Sequence, residues 1–276
     1  MRQLLPLDHP SFSDASYRAR RDDIAALAGG ASEQPVTIAY LPSENEVWRT
    51  VQAALESALQ AHACAEILDA RTRLSLPAER VEQLQMLSDR LEPMTGFRYQ
   101  AVPGLVSKEG FFGALARRRF LSTQFVRHPD WPHYTPEPDV IHEVIGHATC
   151  LAVPQLAELH CLAGQAMTRV ERAETRQFIS DVFWFSGEFG VVRQHGQWKA
   201  YGAGLLSSVG ELSWFASHAT IHTLDPLQMG RTPYDITSYQ PTLFGADSLD
   251  QLLDIVGGFF ATISDEPASG AKVASI

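Results

Sequence analysis

The sequence predicts a mainly α-helical protein with a few short β-strands, an α+β fold. Apolar residues recur at helical spacing along most of the chain, and runs of β-favouring residues are short and few. Strands and helices do not alternate regularly, which disfavours a doubly wound parallel sheet. With 276 residues, 45% of them hydrophobic and 20% charged, the chain has the composition of a globular protein with a sizeable core.

The first half of the chain carries three predicted helices. In the first, Val47, Val51, Leu55 and Leu59 repeat every four residues, which is typical of an amphipathic helix. We place these helices over 46–62, 81–91 and 110–120. An extended segment over 122–127 follows, and then a loop over 128–138, which contains four prolines.

The second half begins with a predicted helix over 140–153. Asp139 stands just before it, where a carboxylate caps a helix and complements its dipole. Further helices are predicted over 154–172, 175–185, 204–219 and 248–262. Short strands are predicted over 100–102, 191–201 and 237–243.

Charge and cysteine content narrow the class of protein. The net charge is −10, from 22 basic and 32 acidic residues, so we expect no nucleic-acid partner. The three cysteines are too few for a disulfide framework and favour a reducing compartment, and we therefore expect a cytoplasmic protein. No apolar run reaches the length of a membrane span, so no membrane association is expected.

Two histidines in the motif His142-Glu143-Val144-Ile145-Gly146-His147 are candidate metal ligands. The spacing is one residue longer than in the zinc-hydrolase motif H-E-x-x-H, which makes a zinc hydrolase the least favoured alternative. In an α-helix, side chains five residues apart point about 140° away from each other. Both could reach one metal if the first lay in the opening turn. For the motif taken alone, two ordinary helix histidines are the favoured explanation.

Glu188 lies in the aromatic run Phe183-Trp184-Phe185-Ser186-Gly187-Glu188. A carboxylate among aromatic rings is costly to bury unless it is paired or binds a metal, although an exposed glutamate at a helix end is also consistent with this pattern. With the two histidines, it completes a candidate facial triad for Fe(II).

Two loops flank these residues. The proline-rich segment from Tyr134 to Asp139 leads directly into the histidine motif, so its prolines restrict how the chain approaches the candidate metal. Gly202 and Gly204 permit a close backbone approach to a ligand or to another segment. An ordinary loop and a tight turn before a helix remain the simpler alternatives.

A resemblance to a known family makes the predicted function more specific. TPEPDVIHEVIGH, FWFSGEFG and KAYGAGLLSSVGEL resemble segments of the catalytic domain of the pterin-dependent aromatic amino acid hydroxylases. DHPSFSDASYRARR, QAHACAE, TGFRYQAVPGLVS, STQFVRH and YDITSYQP match further segments of that family, in the same order. The resemblance covers nearly the whole chain.

The resemblance implies the fold of that catalytic domain and a monooxygenase reaction. Fe(II), O2 and a tetrahydropterin (tetrahydrobiopterin or a bacterial analogue) would convert an aromatic L-amino acid to its ring-hydroxylated product. Conversion of L-phenylalanine to L-tyrosine is the favoured reaction. Hydroxylation of tryptophan, or of the meta carbon of phenylalanine, is the first alternative. A protein that binds an aromatic amino acid or a pterin without oxidising it is the alternative from another class.

The resemblance also implies roles for individual residues. His142, His147 and Glu188 match the iron ligands. The pterin site is matched by Phe111, which would stack on the pterin ring, by the catalytic acid Glu143, and by Gly104 and Val106. Arg127 matches the residue that binds the substrate carboxylate, and Asp139 would orient it. The remaining substrate contacts are matched by Thr135, Pro138, Trp184, Gly204 and Ser207.

Departures from the family pattern bear on the choice of substrate. Gly187 stands where the family usually has valine, so we expect a looser helix and added space behind the ring pocket. Phe183 stands where tyrosine is common, and Lys108 where a small polar residue is common. Ile236 stands where tyrosine hydroxylases have an acidic residue, which disfavours tyrosine as the substrate. Trp184 weakly favours phenylalanine over tryptophan.

The chain is also expected to form a single catalytic domain over residues 1–276. The regulatory domain and the C-terminal oligomerisation helix of the family's animal members find no counterpart in it. We therefore expect a monomer.

Overall fold

The computed structural model describes residues 10–28 and 36–265. Its first part is helical, and the first strand follows five helices. These are α1 (Pro10–Ser13), α2 (Ala15–Ala28), α3 (Pro42–His62), α4 (Ala65–Leu74) and α5 (Leu84–Thr95). After them come β1 (Arg98–Ala101), α6 (Lys108–Leu115) and β2 (Arg119–Ser122).

The second part contains three short π-helical segments within longer helical stretches. In chain order its elements are the first π segment (His142–Ala148), α7 (Thr149–Leu151), α8 (Pro154–Arg169), α9 (Ala173–Phe183) and the second π segment (Trp184–Glu188). Next are β3 (Val191–Gln194), β4 (Gln197–Ala200), α10 (Ala203–Ser207), α11 (Glu211–His218), β5 (Thr220–Thr223) and α12 (Pro226–Met229). The last are β6 (Thr242–Ala246), α13 (Leu249–Leu252), the third π segment (Leu253–Gly257) and α14 (Gly258–Thr262).

The amphipathic helix predicted over 46–62 is confirmed as the last four-fifths of α3. Its apolar stripe is buried, including Val51 and Leu55, which have no exposed surface. The helix starts earlier than predicted because Pro42 supplies a preorganised first turn and the Glu44 carboxylate accepts the backbone N–H of Leu41 at 2.7 Å. Helices α2 and α4 were not predicted.

Two predicted helices are shorter than their sequence patterns indicate. The helix predicted over 110–120 ends at Leu115, because Arg118 adopts a left-handed conformation with φ 54° and the next residues pair as β2 with β1. The helix predicted over 204–219 is split into α10 and α11, because Ser208 is extended (φ −102°, ψ 107°). At the end of α6, strand pairing overrides the local helical periodicity.

The strands form two small sheets. Strands β1 and β2 are parallel, with Arg98 opposite Arg119. The second sheet has the order β4-β3-β6-β5, in which β3 and β4 are antiparallel and the other pairs parallel. The segment predicted as one strand over 191–201 is a hairpin whose turn has positive φ at both His195 (51°) and Gly196 (76°). The strand predicted over 237–243 lies at β6, and β5 was not predicted.

Helix α8 lies in the core and organises the helices around it. Helices α6, α9 and α14 and the third π segment pack against it. The closest crossing is at Gly164, where a Cβ atom would lie 2.3 Å from the backbone nitrogen of Ala116 and 2.5 Å from the carbonyl oxygen of Phe112. Only glycine permits this close approach between α8 and the C-terminal half of α6. No helix in the described ranges combines the length and the apolar character needed to cross a bilayer.

Candidate active site

The π-helical geometry of the first π segment brings His142 and His147 together although they are five residues apart. A π-helix closes its hydrogen bonds between residues five apart, so residues at i and i+5 come to lie nearly one above the other. The two imidazole rings are accordingly neighbours, with centroids 4.8 Å apart and planes at 89°. Five-residue spacing, unfavourable in an α-helix, thus brings both candidate ligands to the same side of this helix.

Glu188 ends the second π segment and faces both histidines. Its Oε1 lies 3.1 Å from His147 Nε2, and its Oε2 lies 3.9 Å from His142 Nε2. One ligand atom from each of the three residues can be chosen so that all lie within 4.8 Å of one another. Two imidazole nitrogens and one carboxylate are the donor set of facial-triad Fe(II) sites, so these residues fit such an ion.

Burial and neighbouring charges shift the pKa values of His142 and Glu188 so that both side chains are in the protonation states suited to metal binding. Burial lowers the pKa of His142 to about 4, and the neighbouring His147 contributes to the shift. Burial alone would raise the pKa of Glu188, but the charge and hydrogen bond of His147 outweigh it and lower that pKa to about 2. A neutral imidazole and an ionised carboxylate are the forms that donate electron pairs to a metal.

Ser207 sets the orientation of His142. Its hydroxyl donates to the carbonyl oxygen of Ala203 at 2.9 Å and lies 2.8 Å from His142 Nδ1. The serine oxygen therefore accepts the Nδ1 hydrogen, which leaves the Nε2 lone pair free for a metal. The resemblance implied a substrate contact for Ser207; the structure places its hydroxyl against a candidate metal ligand as well as beside a cavity.

Arg127 and Asp139 form a buried, bidentate ion pair. Arg127 Nε donates to Oδ2 of Asp139 at 3.0 Å, and Nη2 donates to Oδ1 at 2.7 Å. The side chains are only 4% and 0% exposed. The same carboxylate accepts the backbone N–H of Arg127 at 2.8 Å and that of His142 at 3.1 Å. Asp139 thus connects the guanidinium with the start of the helix that carries His142 and His147.

Two cavities meet at Glu188. The first, here called the polar cavity, has a volume of about 330 Å³. His142 and Glu188 line it, and so do all the predicted substrate residues except Asp139, which is buried behind Arg127: Arg127, Thr135, Pro138, Trp184, Gly204 and Ser207. Ile236 also lines this cavity.

The second cavity, here called the aromatic cavity, has a volume of about 270 Å³. It is lined by all four predicted pterin residues, Gly104, Val106, Phe111 and Glu143, and by Lys108 and Phe183. Pro138, Trp184 and Glu188 line both cavities. The candidate metal position therefore lies between two separate binding spaces.

Glu143 brings a carboxyl group into the aromatic cavity. It is buried, and its Oε2 lies 4.0 Å from His147 Nε2. Burial raises the pKa of Glu143 to about 8. A carboxyl group that holds its proton near neutral pH can both donate and accept a hydrogen bond.

Gly187 makes room for the ring of Phe183. A Cβ atom at Gly187 would lie 2.8 Å from that ring, closer than packed atoms approach. The expected space behind the ring pocket is therefore filled, and this helix end is a regular π segment. Phe183 also packs edge-on against Phe112, with centroids 5.2 Å apart.

Three residues near the site were not singled out from the sequence. Tyr234 stacks on Trp184, with centroids 4.6 Å apart and planes at 13°, and lies in the quoted YDITSYQP segment, which was the available signal. Phe120 packs on His147 at 4.6 Å. His160, on α8, is buried, which lowers its pKa to about 4, and its ring lies 6.1 Å from that of His147. Its separation from the motifs along the chain left no local signal.

Comparison with known proteins identifies the relatives of this chain. The model of a biopterin-dependent aromatic amino acid hydroxylase family matches residues 1–267. A phenylalanine 3-hydroxylase from Streptomyces coeruleorubidus is 45% identical over 260 residues, which cover 94% of this chain and 93% of that protein. Human phenylalanine-4-hydroxylase is 37% identical over 268 residues, which cover 94% of this chain but 59% of the human protein. The chain thus spans little more than half the length of this animal relative.

Solved structures show the same fold. Phenylalanine hydroxylase from Chromobacterium violaceum, with iron(III) and 7,8-dihydrobiopterin bound, superposes with a TM-score of 0.79 at 29% identity, covering 88% of this chain and 89% of that one. The mainly helical fold with a few short strands, predicted from the sequence, is therefore confirmed. With the family match over almost the whole chain, these similarities show that the chain belongs to the biopterin-dependent aromatic amino acid hydroxylase family.

Proposed function

We propose that this protein is an Fe(II)- and tetrahydropterin-dependent monooxygenase that hydroxylates the ring of L-phenylalanine. The observation that carries the proposal is the cluster of His142, His147 and Glu188, in which Glu188 lines both cavities. One cavity contains a buried cation suited to an amino acid carboxylate, and the other has aromatic walls suited to a flat heterocycle. A metal between them would lie beside both reactants.

In the polar cavity, Arg127 binds the substrate carboxylate. Asp139 occupies its Nε and one Nη2 hydrogen, and the carbonyl oxygen of Pro132 accepts from Nη1 at 3.3 Å. A guanidinium has five N–H donors, so two remain for the substrate. Because Asp139 fixes the guanidinium plane, the amino acid is held in one orientation, with its ring between Pro138 and Trp184.

In the aromatic cavity, Phe111 stacks on the pterin ring and Glu143 hydrogen-bonds to its polar edge. Gly104 and Val106 complete the wall around it. Burial keeps the pKa of Glu143 high, so its carboxyl can donate as well as accept. When bound, iron and the reduced pterin supply the electrons that activate O2, and the protein holds the reactants in position and excludes water.

We propose that the meta carbon of the ring is the position attacked. The support is the name of the Streptomyces relative, a phenylalanine 3-hydroxylase, which at 45% identity is more similar to this chain than the human 4-hydroxylase at 37%. The para carbon, favoured from the sequence motifs, is the second candidate, because the human relative that is 37% identical over 94% of this chain is named a phenylalanine-4-hydroxylase.

The test is a product analysis. The apoprotein is loaded anaerobically with Fe(II), and tetrahydrobiopterin, O2 and phenylalanine, tyrosine or tryptophan are added. We expect meta-tyrosine from phenylalanine, identified by chromatography against authentic standards. Para-tyrosine would support the second candidate, and no hydroxylated product from phenylalanine would refute the proposal. His142→Ala serves as the inactive control.

We further propose that the chain acts as a single catalytic domain and as a cytoplasmic monomer. One large apolar core joins helices from both halves of the described chain, which supports the single domain. All three cysteines are buried and unpaired, as suits a reducing compartment. Light scattering should give the mass of one chain, and a tetramer would contradict the proposal.

A further inference from the structure

Two buried ring nitrogens near the metal position lack hydrogen-bond partners among the described residues. They are Nδ1 of His147 and Nε2 of His160. The two residues are 2% and 1% exposed. Their ring centroids lie 6.1 Å apart, with planes at 90°. Buried polar atoms without partners are costly, so two such atoms on neighbouring rings require an explanation.

The protonation states of these two nitrogens are complementary. His160 Nδ1 lies 2.7 Å from the carbonyl oxygen of Leu156, which can only accept, so Nδ1 carries the hydrogen and Nε2 is left as an acceptor in the neutral ring. His147 Nε2 faces Glu188 at 3.1 Å. If His147 binds a metal through Nε2, its hydrogen must be on Nδ1, which is then a donor.

Aromatic rings pack against both histidines. The ring of Phe120 covers His147 at 4.6 Å, and the edge of Phe183 packs on His160 at 5.1 Å. Where a buried donor and a buried acceptor lie on neighbouring rings and do not bond each other directly, one ordered water can satisfy both.

We propose that His160 is a positioning residue for the metal ligand His147. One buried water accepts the Nδ1 hydrogen of His147 and donates to Nε2 of His160. This bridge holds His147 in the tautomer that presents Nε2 to the metal. The inference rests on the metal site of the proposed function. It gives His147 the orienting partner that His142 has in Ser207, and such partners of metal-bound histidines raise metal affinity.

The test measures metal binding rather than turnover. Co(II) is titrated anaerobically into the apoprotein and its affinity is measured by calorimetry and from the visible absorption of the bound ion. The informative variants are His160→Gln, which places an acceptor oxygen near the position of Nε2, and His160→Met, which has the same length but no comparable acceptor. Phe260→Leu, a core substitution on α14, controls for a general loss of stability.

We expect His160→Met to weaken Co(II) binding about 10- to 100-fold, the range typical of partners of metal ligands, and His160→Gln to weaken it clearly less. Wild-type affinity in His160→Met would overturn the inference. Equal weakening in both variants would also overturn it, because the loss would then come from packing. If His147→Ala binds Co(II) as the wild type does, the metal site itself is wrong, so the two failures are distinguishable.

Nuclear magnetic resonance of the wild-type protein gives a test that does not depend on folded variants. In the protein labelled with ¹⁵N-histidine and loaded with diamagnetic Zn(II), we expect neutral His160 with its hydrogen on Nδ1 and an exchange-protected Nδ1 hydrogen on His147. A hydrogen on Nε2 of His160, or a rapidly exchanging one on Nδ1 of His147, would refute the bridge.

Discussion

The polar and aromatic cavities share the wall at Glu188 but are built by opposite means. Short hydrogen bonds between residues distant in sequence shape the polar cavity, such as those from Arg127 to Asp139. Ring packing shapes the aromatic cavity, where Phe111 meets Phe112 and Phe120 edge-on at 5.5 and 5.7 Å. In the polar cavity the position of a charge depends on individual hydrogen bonds. In the aromatic cavity the shape depends on several packed rings together.

This difference has an energetic consequence. Removing one partner of a buried ion pair leaves the other charge without compensation in a dry site, which is strongly destabilising. Removing one of several packed rings removes only the contacts of that ring, and the other rings still shape the cavity. The polar cavity should therefore be sensitive to conservative substitutions, and the aromatic cavity should respond more gradually.

The largest effect is expected for Asp139→Asn. The variant keeps the shape of the side chain but removes the charge opposite Arg127, so we expect the free energy of unfolding to fall by about 3 kcal/mol. The guanidinium loses its fixed orientation, and kcat/KM for phenylalanine should fall about 100-fold. The KM for the tetrahydropterin should change little, because Asp139 does not line the aromatic cavity. Urea unfolding and steady-state kinetics measure these quantities.

Glu137→Gln is the matched control. Glu137 lies in the same loop and pairs with Arg21, but this pair is partly exposed, with side chains 38% and 26% accessible. Loss of this charge should cost less than about 1 kcal/mol. Equal losses of stability in the two variants would contradict the contrast between a buried and an exposed ion pair.

Phe111→Ala is expected to have an intermediate effect, and this effect falls on the binding of the pterin and not on that of the amino acid. Loss of ring stacking worth about 1.4 kcal/mol corresponds to a roughly tenfold increase in the KM for the tetrahydropterin. The KM for phenylalanine should stay near the wild-type value. Phe178→Ala, which removes a half-buried ring outside both cavities, is the control. If Phe111→Ala changes the KM of the amino acid as much as that of the pterin, the two cavities do not bind the two reactants separately.

The last prediction concerns the loop at the rim of the polar cavity, and its effect is on stability alone. Glu211, at the start of α11, is buried and accepts the backbone N–H of Gln240 at 2.6 Å, at the end of the loop that carries Tyr234 and Ile236. Burial raises the pKa of Glu211 from its ordinary value of 4.5 to about 7. The folded protein therefore holds this proton more tightly than the unfolded chain, and stability falls as pH rises from about 4.5 through 7.

Glu211→Gln should remove this part of the pH dependence while keeping an acceptor for Gln240. We expect the difference in Tm between pH 5 and pH 8 to shrink by about 2–4 °C for each kcal/mol of the ionisation cost that is removed. Glu174→Gln, at a side chain 80% exposed, is the control. An unchanged pH dependence in Glu211→Gln would show that Glu211 ionises without cost in the folded protein. Thermal unfolding across this pH range measures the effect.

Local patterns explain why part of this molecule could be predicted. The apolar stripe of α3 and the loop with four prolines are properties of neighbouring residues, and the structure has both. His142, His147 and Glu188 were found because each lies in a short motif. The predicted end of the helix over 110–120 was wrong, because it depends on the pairing of β2 with the distant strand β1, and the helix predicted over 204–219 was wrong in being undivided at Ser208.

The sequence by itself determined the fold class, the candidate ligands and the family, because helical periodicity and ordered motifs are encoded in adjacent residues. Only the tertiary structure decided how those ligands meet. The π geometry that aligns His142 with His147, the bond from Ser207 to a histidine 65 residues earlier, and the place of His160 beside His147 all depend on how helices pack. Packing is a sum over distant contacts, and no local pattern of residues records that sum.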